Sequence, residues 1–258
     1  MVKGLYTAYT GMINEQKRMD VLTNNLANAD TNGFKKEGAT SQSFDAILAY
    51  KIKDTSEGYH LSRRLGINHP GVKIGEGYTD FSQGPIKTTG NTYDLALTDA
   101  GFFAVEYTNR DGETSVKYTR DGDFTLTQEG RLVTRDGDPV LDEDGSPIEI
   151  DPLLKTEINT SGQIIQDGNV VATLQVTDFE DYNYLERYGE NYFQPIEGAV
   201  EKEAAGQVYS GALEKANMSV VTEMVNMIAV SRAYESNQKM ITTIDGTLDI
   251  AANQIGKI

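Results

Sequence analysis

Few residues in this chain have types and spacings that could do chemistry. His60 and His69 are its two histidines. They lie in a loop-like stretch, with no helix to align them. A Ser-His-Asp arrangement would need one of them as a positioned base. A zinc site needs three or four ligands at set spacing, which the chain lacks. It has no cysteine, which removes disulfides, thiolate metal sites and thiol nucleophiles together. Asp136, Asp138, Asp142, Glu143 and Asp144 form a dense acidic run that invites calcium. Asp142, Asp144 and Ser146 begin an EF-hand loop, but Pro147 stands where that loop requires glycine. The competing reading is that acids gather here because Asp-Gly turns well and seeks water. Gly75 and Gly77 open a G-x-G, yet Asp80 occupies the third glycine position, and no Walker sequence occurs. Paired carboxylates among the 39 acids, with the tyrosines, could line a sugar groove, but no motif selects a pair. The residue types predict no catalytic centre, no cofactor and no metal.

The elements that would position such groups have a clearer signal. From Leu213 an apolar residue recurs every three or four positions to the end of the chain. Leu213, Val220, Met227, Tyr234, Ile241, Leu248 and Ile255 form one row; Ala216, Glu223, Val230, Asn237, Ile244, Ala251 and Ile258 form the next. This is an a/d heptad ladder, and its polar members Glu223 and Asn237 suit a register or partner-choice role at a cost in stability. A second apolar row, Val221, Met224 and Ile228, lies beside it. The opening residues offer a matching seam in Leu5, Met12, Met19 and Leu26, with Ala8 and Leu22 beside it and Glu15 as the misfit. These periods predict a helix over about 4–28 within an N-terminal helical segment 1–33, stopped in the turn stretch that holds Asn32-Gly33, and another over 211–258. The C-terminal stripe exceeds what one short helix covers, and each buried Leu, Ile or Met contributes about 1.5–3 kcal/mol. The leftover surface favours association.

Between the helices the period changes to two. Residues 94–98, 102–107, 116–119, 124–127, 131–134 and 170–177 read as strands. Asp111-Gly112, Asp121-Gly122, Glu129-Gly130, Asp136-Gly137, Asp144-Gly145 and Asp167-Gly168 punctuate them and supply the positive φ that hairpin turns need. The expected fold class is α+β: N- and C-terminal helices pairing as a coiled-coil domain, with a central antiparallel β domain (94–180) at the far end. Residues 34–93 read as an extended arm or connector and 181–210 as a return connector.

The net charge of −16 argues against nucleic acid and against an anionic membrane surface as partner, since both need a basic face. No apolar run approaches the roughly 20 residues that span a bilayer. Residues 1–18 are amphipathic without the apolar core of a cleavable signal. Export, if it occurs, is expected by a route that needs none.

Four stretches resemble, in order, bacterial flagellar rod and hook proteins. They are GLYTA at 4–8 leading to LANADTNGFK at 26–35; Gln83-Gly84, TGN at 89–91, DLAL at 94–97 and GFF at 101–103; YTRDGDF at 118–124; and GALEKAN at 211–217 with EMVNMI at 223–228 and RAYESNQK at 232–239. The resemblance spans most of the chain apart from parts of 41–80 and 140–205. It implies a non-enzymatic axial subunit exported unfolded through the flagellar type III apparatus without signal cleavage. Such a subunit forms a homo-polymer with other rod and hook subunits, a hollow helical tube in the basal body of the cell envelope. Its terminal helices line the channel, its β domain forms the outer layer, and the tube transmits motor torque. The expected assembly seam is Leu5, Met12, Met19, Leu22, Leu26, Leu213, Val220, Met227, Val230, Tyr234, Ile241, Ile244, Leu248 and Ile255. The length fits a proximal or distal rod subunit, and MVKGLY at 1–6 with ESNQK at 235–239 looks closer to the proximal type. A different class, a secreted adhesin or binding module on a helical oligomerising stalk, stays open on the residues alone.

Overall fold

The computed structural model describes residues 2–44, 47–51, 63–110, 112–189 and 191–253. The chain divides into two compact units. The first comprises Met1–Leu26, Glu37–Thr79 and Val220–Ile258, the second Ala27–Lys36 and Asp80–Ser219. By sequence the first unit holds eleven acidic and eleven basic residues, so the whole excess of −16 belongs to the second.

In the first unit, helix α1 (Val2–Ala27) and helix α2 (Val220–Asn253) carry the apolar stripes. At 1.5 Å per residue α2 is about 51 Å long. The two helices touch where α1 has glycine. A Cβ placed on Gly4 would meet Ile244 at 3.5 Å, and one on Gly11 would meet the Asn237 amide at 3.0 Å. The contacts are seven residues apart on each helix and run in opposite senses, so the helices lie antiparallel there. Glu223 and Val230 are the buried residues of α2. Between the helices in sequence, Glu37–Ser43 pairs antiparallel with Val72–Thr79, and Ile47–Lys51 with Arg63–Asn68. The expected arm or connector thus contains two β ribbons among its described residues.

The second unit is built on a six-stranded antiparallel sheet. Its order is Leu185–Tyr188, Tyr192–Pro195, Thr114–Thr119, Phe102–Thr108, Val176–Phe179, Glu201–Glu203. Alternate residues of its central strand feed different cores. Phe103 and Val105 pack with Leu95, Leu97, Phe124, Val140 and Ile164. Phe102 and Ala104 pack with Tyr118, Leu141, Phe179 and Phe193. A strand covered on both faces has no polar side to show, which is why 102–105 reads as a continuous apolar run. Smaller ribbons complete the unit: Phe124–Leu126 with Leu132–Thr134, Leu95–Leu97 with Val208–Ser210, and Thr156–Ile158 with Gln163–Gln166 and Asn169–Thr173.

Several expectations need correction. The stretch 181–210 contributes strands to the main sheet rather than a connector, because Tyr192 and Phe193 are core residues of it. The expected strand 170–177 is two strands in different sheets, broken where Leu174 donates its amide to Gly162. The C-terminal helix starts at Val220 and not at 211. Residues Ala212–Glu214 form a strand paired with Ile86–Thr88, entered through Gly211 at φ +80°. Five of the six acid–glycine turns hold glycine at positive φ; Gly122 does not. Glycine is required there for space, since a Cβ would lie 1.7 Å from the Leu95 carbonyl oxygen.

Candidate functional site

The acidic run does not open into a ligand cradle. Asp142 Oδ1 accepts from the Asp144 amide at 2.8 Å, the Gly145 amide closes on the Asp142 carbonyl at 2.8 Å, and the loop is a tight hairpin. Gly75 and Gly77 lie in the ribbon strand Val72–Thr79. His60 lies outside the described residues. His69 is exposed, 3.3 Å from the Phe44 carbonyl.

The expected assembly seam falls into three groups. Leu5, Met12, Met19, Leu22 and Leu26 are half-buried on α1. On α2, Val230 is buried, Met227, Tyr234, Ile241 and Ile244 are half-buried, and Val220 and Leu248 are exposed. Leu213 is buried, but in the strand Ala212–Glu214 of the other unit. Ile255 lies outside the described residues. Beside the seam, α2 presents Val221, Met224, Val225 and Ile228 to solvent at 72, 50, 60 and 61% exposure. These four recur at the spacing of one helix face. They form an apolar strip that the described residues leave uncovered.

A second assembly of residues had no sequence signal as a site. The segments that follow α1 and precede α2 are joined inside the β unit. The Gly33 amide donates to the Glu214 carbonyl at 2.8 Å and the Asn217 amide to the Phe34 carbonyl at 3.4 Å. Under these backbone bonds lies a buried ion cluster. Lys35 Nζ is 2.7 Å from Glu214 Oε1, and both side chains are 1% exposed. Arg120 Nη1 is 3.4 Å from Glu214 Oε2. Glu214 Oε1 also accepts from the Gly84 amide at 2.7 Å, and Lys35 Nζ donates to the Ser82 carbonyl at 2.8 Å. Two cations thus share one carboxylate, and all three side chains are buried. Burial pushes Lys35 below the ordinary lysine value, and Glu214 draws it back up. Arg120 is likewise lowered by burial, with the same partner opposing the shift only in part. Gly84 has no room for a side chain, as a Cβ would lie 1.9 Å from the Lys215 carbonyl oxygen. Arg187 covers the Phe34 ring at 4.4 Å.

Beside this cluster, Asp121 sits under Asn191, whose Nδ2 reaches both the Asn32 carbonyl at 2.9 Å and Asp121 Oδ2 at 3.4 Å. Burial, reinforced by the Asp123 carboxylate and opposed by the Asp123 amide, pushes the Asp121 carboxyl up to about 6. Such a cluster can fix geometry; it contains no nucleophile or base facing open space.

Four of the stretches by which the sequence resembles rod and hook proteins supply the cluster: LANADTNGFK holds Lys35, Gln83-Gly84 holds Gly84, YTRDGDF holds Arg120 and GALEKAN holds Glu214. Three family profiles match the chain in order. "Flagella basal body rod protein" covers residues 5–35, "Flagellar hook protein FlgE/F/G D1 domain" 96–172, and "Flagellar basal body rod FlgEFG protein C-terminal" 209–255. The chain is 33% identical to flagellar basal-body rod protein FlgG of Buchnera aphidicola subsp. Schizaphis graminum, over 96% of this chain and 98% of the relative. It is 33% identical to flagellar basal-body rod protein FlgF of Caulobacter vibrioides, over the whole of both chains. It is 32% identical to the flagellar hook-basal body complex protein FlhO of Bacillus subtilis, again over the whole of both.

Proposed function

The chain belongs to the flagellar basal-body rod protein family, whose members are structural subunits and not enzymes, and we propose that it polymerises through its terminal helices into a hollow helical tube that carries motor torque. In that tube α1 and α2 pair as a coiled coil and line the channel, and the β unit forms the outer layer. Neighbours are further copies of this chain and other axial subunits of the flagellum. The chain reaches the periplasmic part of the basal body through the flagellar type III export apparatus; no helix among the described residues is long and apolar enough to cross a membrane. The opening and closing motifs favour the proximal part of the rod.

The observation that carries this reading is the solvent-facing strip Val221, Met224, Val225 and Ile228 beside the half-buried seam of α2. Four such side chains left in water each forgo about 1.5–3 kcal/mol that burial would supply. The charge distribution supports it too. Copies that pack through the first unit bring no net charge together, while the acidic excess stays on the other unit.

The test separates assembly from folding. Ile228 is exposed in the single chain, so Ile228→Asp should leave thermal unfolding of the purified protein unchanged and prevent rods in basal bodies isolated from cells carrying it. Val230 is buried in its own unit, so Val230→Asp should weaken that unit as well as assembly. Full-length rods built from Ile228→Asp would refute the role assigned to this face.

A further inference from the structure

Four chain segments lead out of the β unit: at Ala27 towards α1, at Lys36 and Asp80 towards the two ends of the ribbon arm, and at Ser219 towards α2. Within the β unit these four are not independent. Asn217 lies two residues before the last exit, and its half-buried side chain serves two of the others. Its Oδ1 accepts from the Lys36 amide at 2.8 Å. Its Nδ2 donates to the Asp80 carbonyl at 2.6 Å, with the Ser82 carbonyl and Oγ both at 3.1 Å. Its own amide reaches Phe34. Around it, the Asp80 amide donates to the Lys36 carbonyl at 2.9 Å, and Lys36 Nζ lies 3.3 Å from Asp80 Oδ2. Lys215 Nζ reaches the Asp30 carbonyl at 3.4 Å, on the segment that leads from α1.

We propose that Asn217 is the positioning residue that binds three of these chain exits into one joint, so that the root of α2 and both ends of the arm are held as a single piece. An amide is the one short side chain that can do this, because it accepts on one side and donates twice on the other. The Lys36 and Asp80 groups it joins are backbone groups, which keep their positions whatever side chains surround them. A subunit that carries load between its parts needs its chain crossings to yield together or not at all. That consequence rests on the rod reading, while the joint itself rests only on the contacts above.

The experiment is limited tryptic digestion of the full-length chain, with cleavage sites followed by mass spectrometry. Lys36 and Lys215 flank the joint, and Lys117, buried in the central sheet, reports general unfolding. In Asn217→Ala, cleavage after Lys36 and Lys215 should accelerate about tenfold, the effect of losing one or two net hydrogen bonds from a local opening, with cleavage after Lys117 unchanged. Asn217→Asp keeps the acceptor for the Lys36 amide and loses both donors, so Lys36 should be released less than in Asn217→Ala. If all three sites accelerate in step, or none does, Asn217 is an ordinary stabilising residue and the joint is refuted. Neither result depends on whether the chain assembles, which the Ile228 substitution tests separately.

Discussion

Glu214→Gln is the most informative single substitution for the β unit. The wild-type carboxylate holds Lys35 at 2.7 Å and Arg120 at 3.4 Å, and all three side chains are at most 3% exposed. Glutamine keeps nearly the same shape but removes the charge, and its amide turns a donor towards one of two cations that have only donors. Removing one partner of a buried pair costs about 3–5 kcal/mol, since the remaining charges stay desolvated. For a unit of this size 1 kcal/mol shifts the unfolding midpoint by roughly 2–4 °C, so the midpoint should fall by about 6–20 °C. Near-ultraviolet circular dichroism from the buried tyrosines reports the transition. Lys155 and Glu157 supply the control. They also lie 2.7 Å apart, but with 84 and 66% of their side chains exposed, so Glu157→Gln should leave the midpoint where it was. Equal, small shifts in both variants would refute the argument that burial, and not distance, sets the worth of these pairs.

Asp121 gives the β unit a pH dependence of definite sign. Its folded pKa of about 6 lies above the unfolded value, so the folded state holds the proton more tightly. The resulting stabilisation is full below about pH 4 and is lost as the pH rises through 6, an effect of about 2–3 kcal/mol. Asp121→Asn fixes an uncharged form of nearly the same shape. The variant should unfold at a higher midpoint than wild type at pH 7.5 and lose the difference at pH 4, as a pair of melting series will show. Gly122→Ala drives a Cβ into the Leu95 carbonyl and should yield no folded β unit by circular dichroism. Gly137→Ala, at φ +98° with open space around it, should cost only about 1–2 kcal/mol in denaturant titration.

What was legible in the sequence follows from the range of the interactions involved. Helical stripes repeat within a few residues, so α1 and most of α2 could be read directly. The start of α2 could not. Leu213 and Ala216 fall on the heptad frame, yet they are apolar because a buried strand and its exit need them to be. A short apolar run keeps the same spacing in either role. The aromatic stretch 182–193 looked like a connector because its strands are short: Leu185–Tyr188 and Tyr192–Pro195 form a hairpin, and only the second of them reaches the rest of the sheet, through Thr114–Thr119 far back along the chain. The ion cluster was invisible for a stronger reason. Lysine, arginine and glutamate are usually surface residues, and only folding shows that Lys35, Arg120 and Glu214 are enclosed together. The motif stretches marked the right segments without revealing what they do there.

Lys35 and Glu214 are separated by 179 positions, and nearly all of the β unit's strands lie between them. Loop-closure entropy disfavours bringing such distant residues together early. The strands in between can pair first and shorten the effective loop. The cluster is then a final stitch, available only once residue 214 has arrived and the sheet already stands. A chain interrupted before that point would own its first helix, its arm and much of its sheet, yet have nothing to fasten the opening segment down.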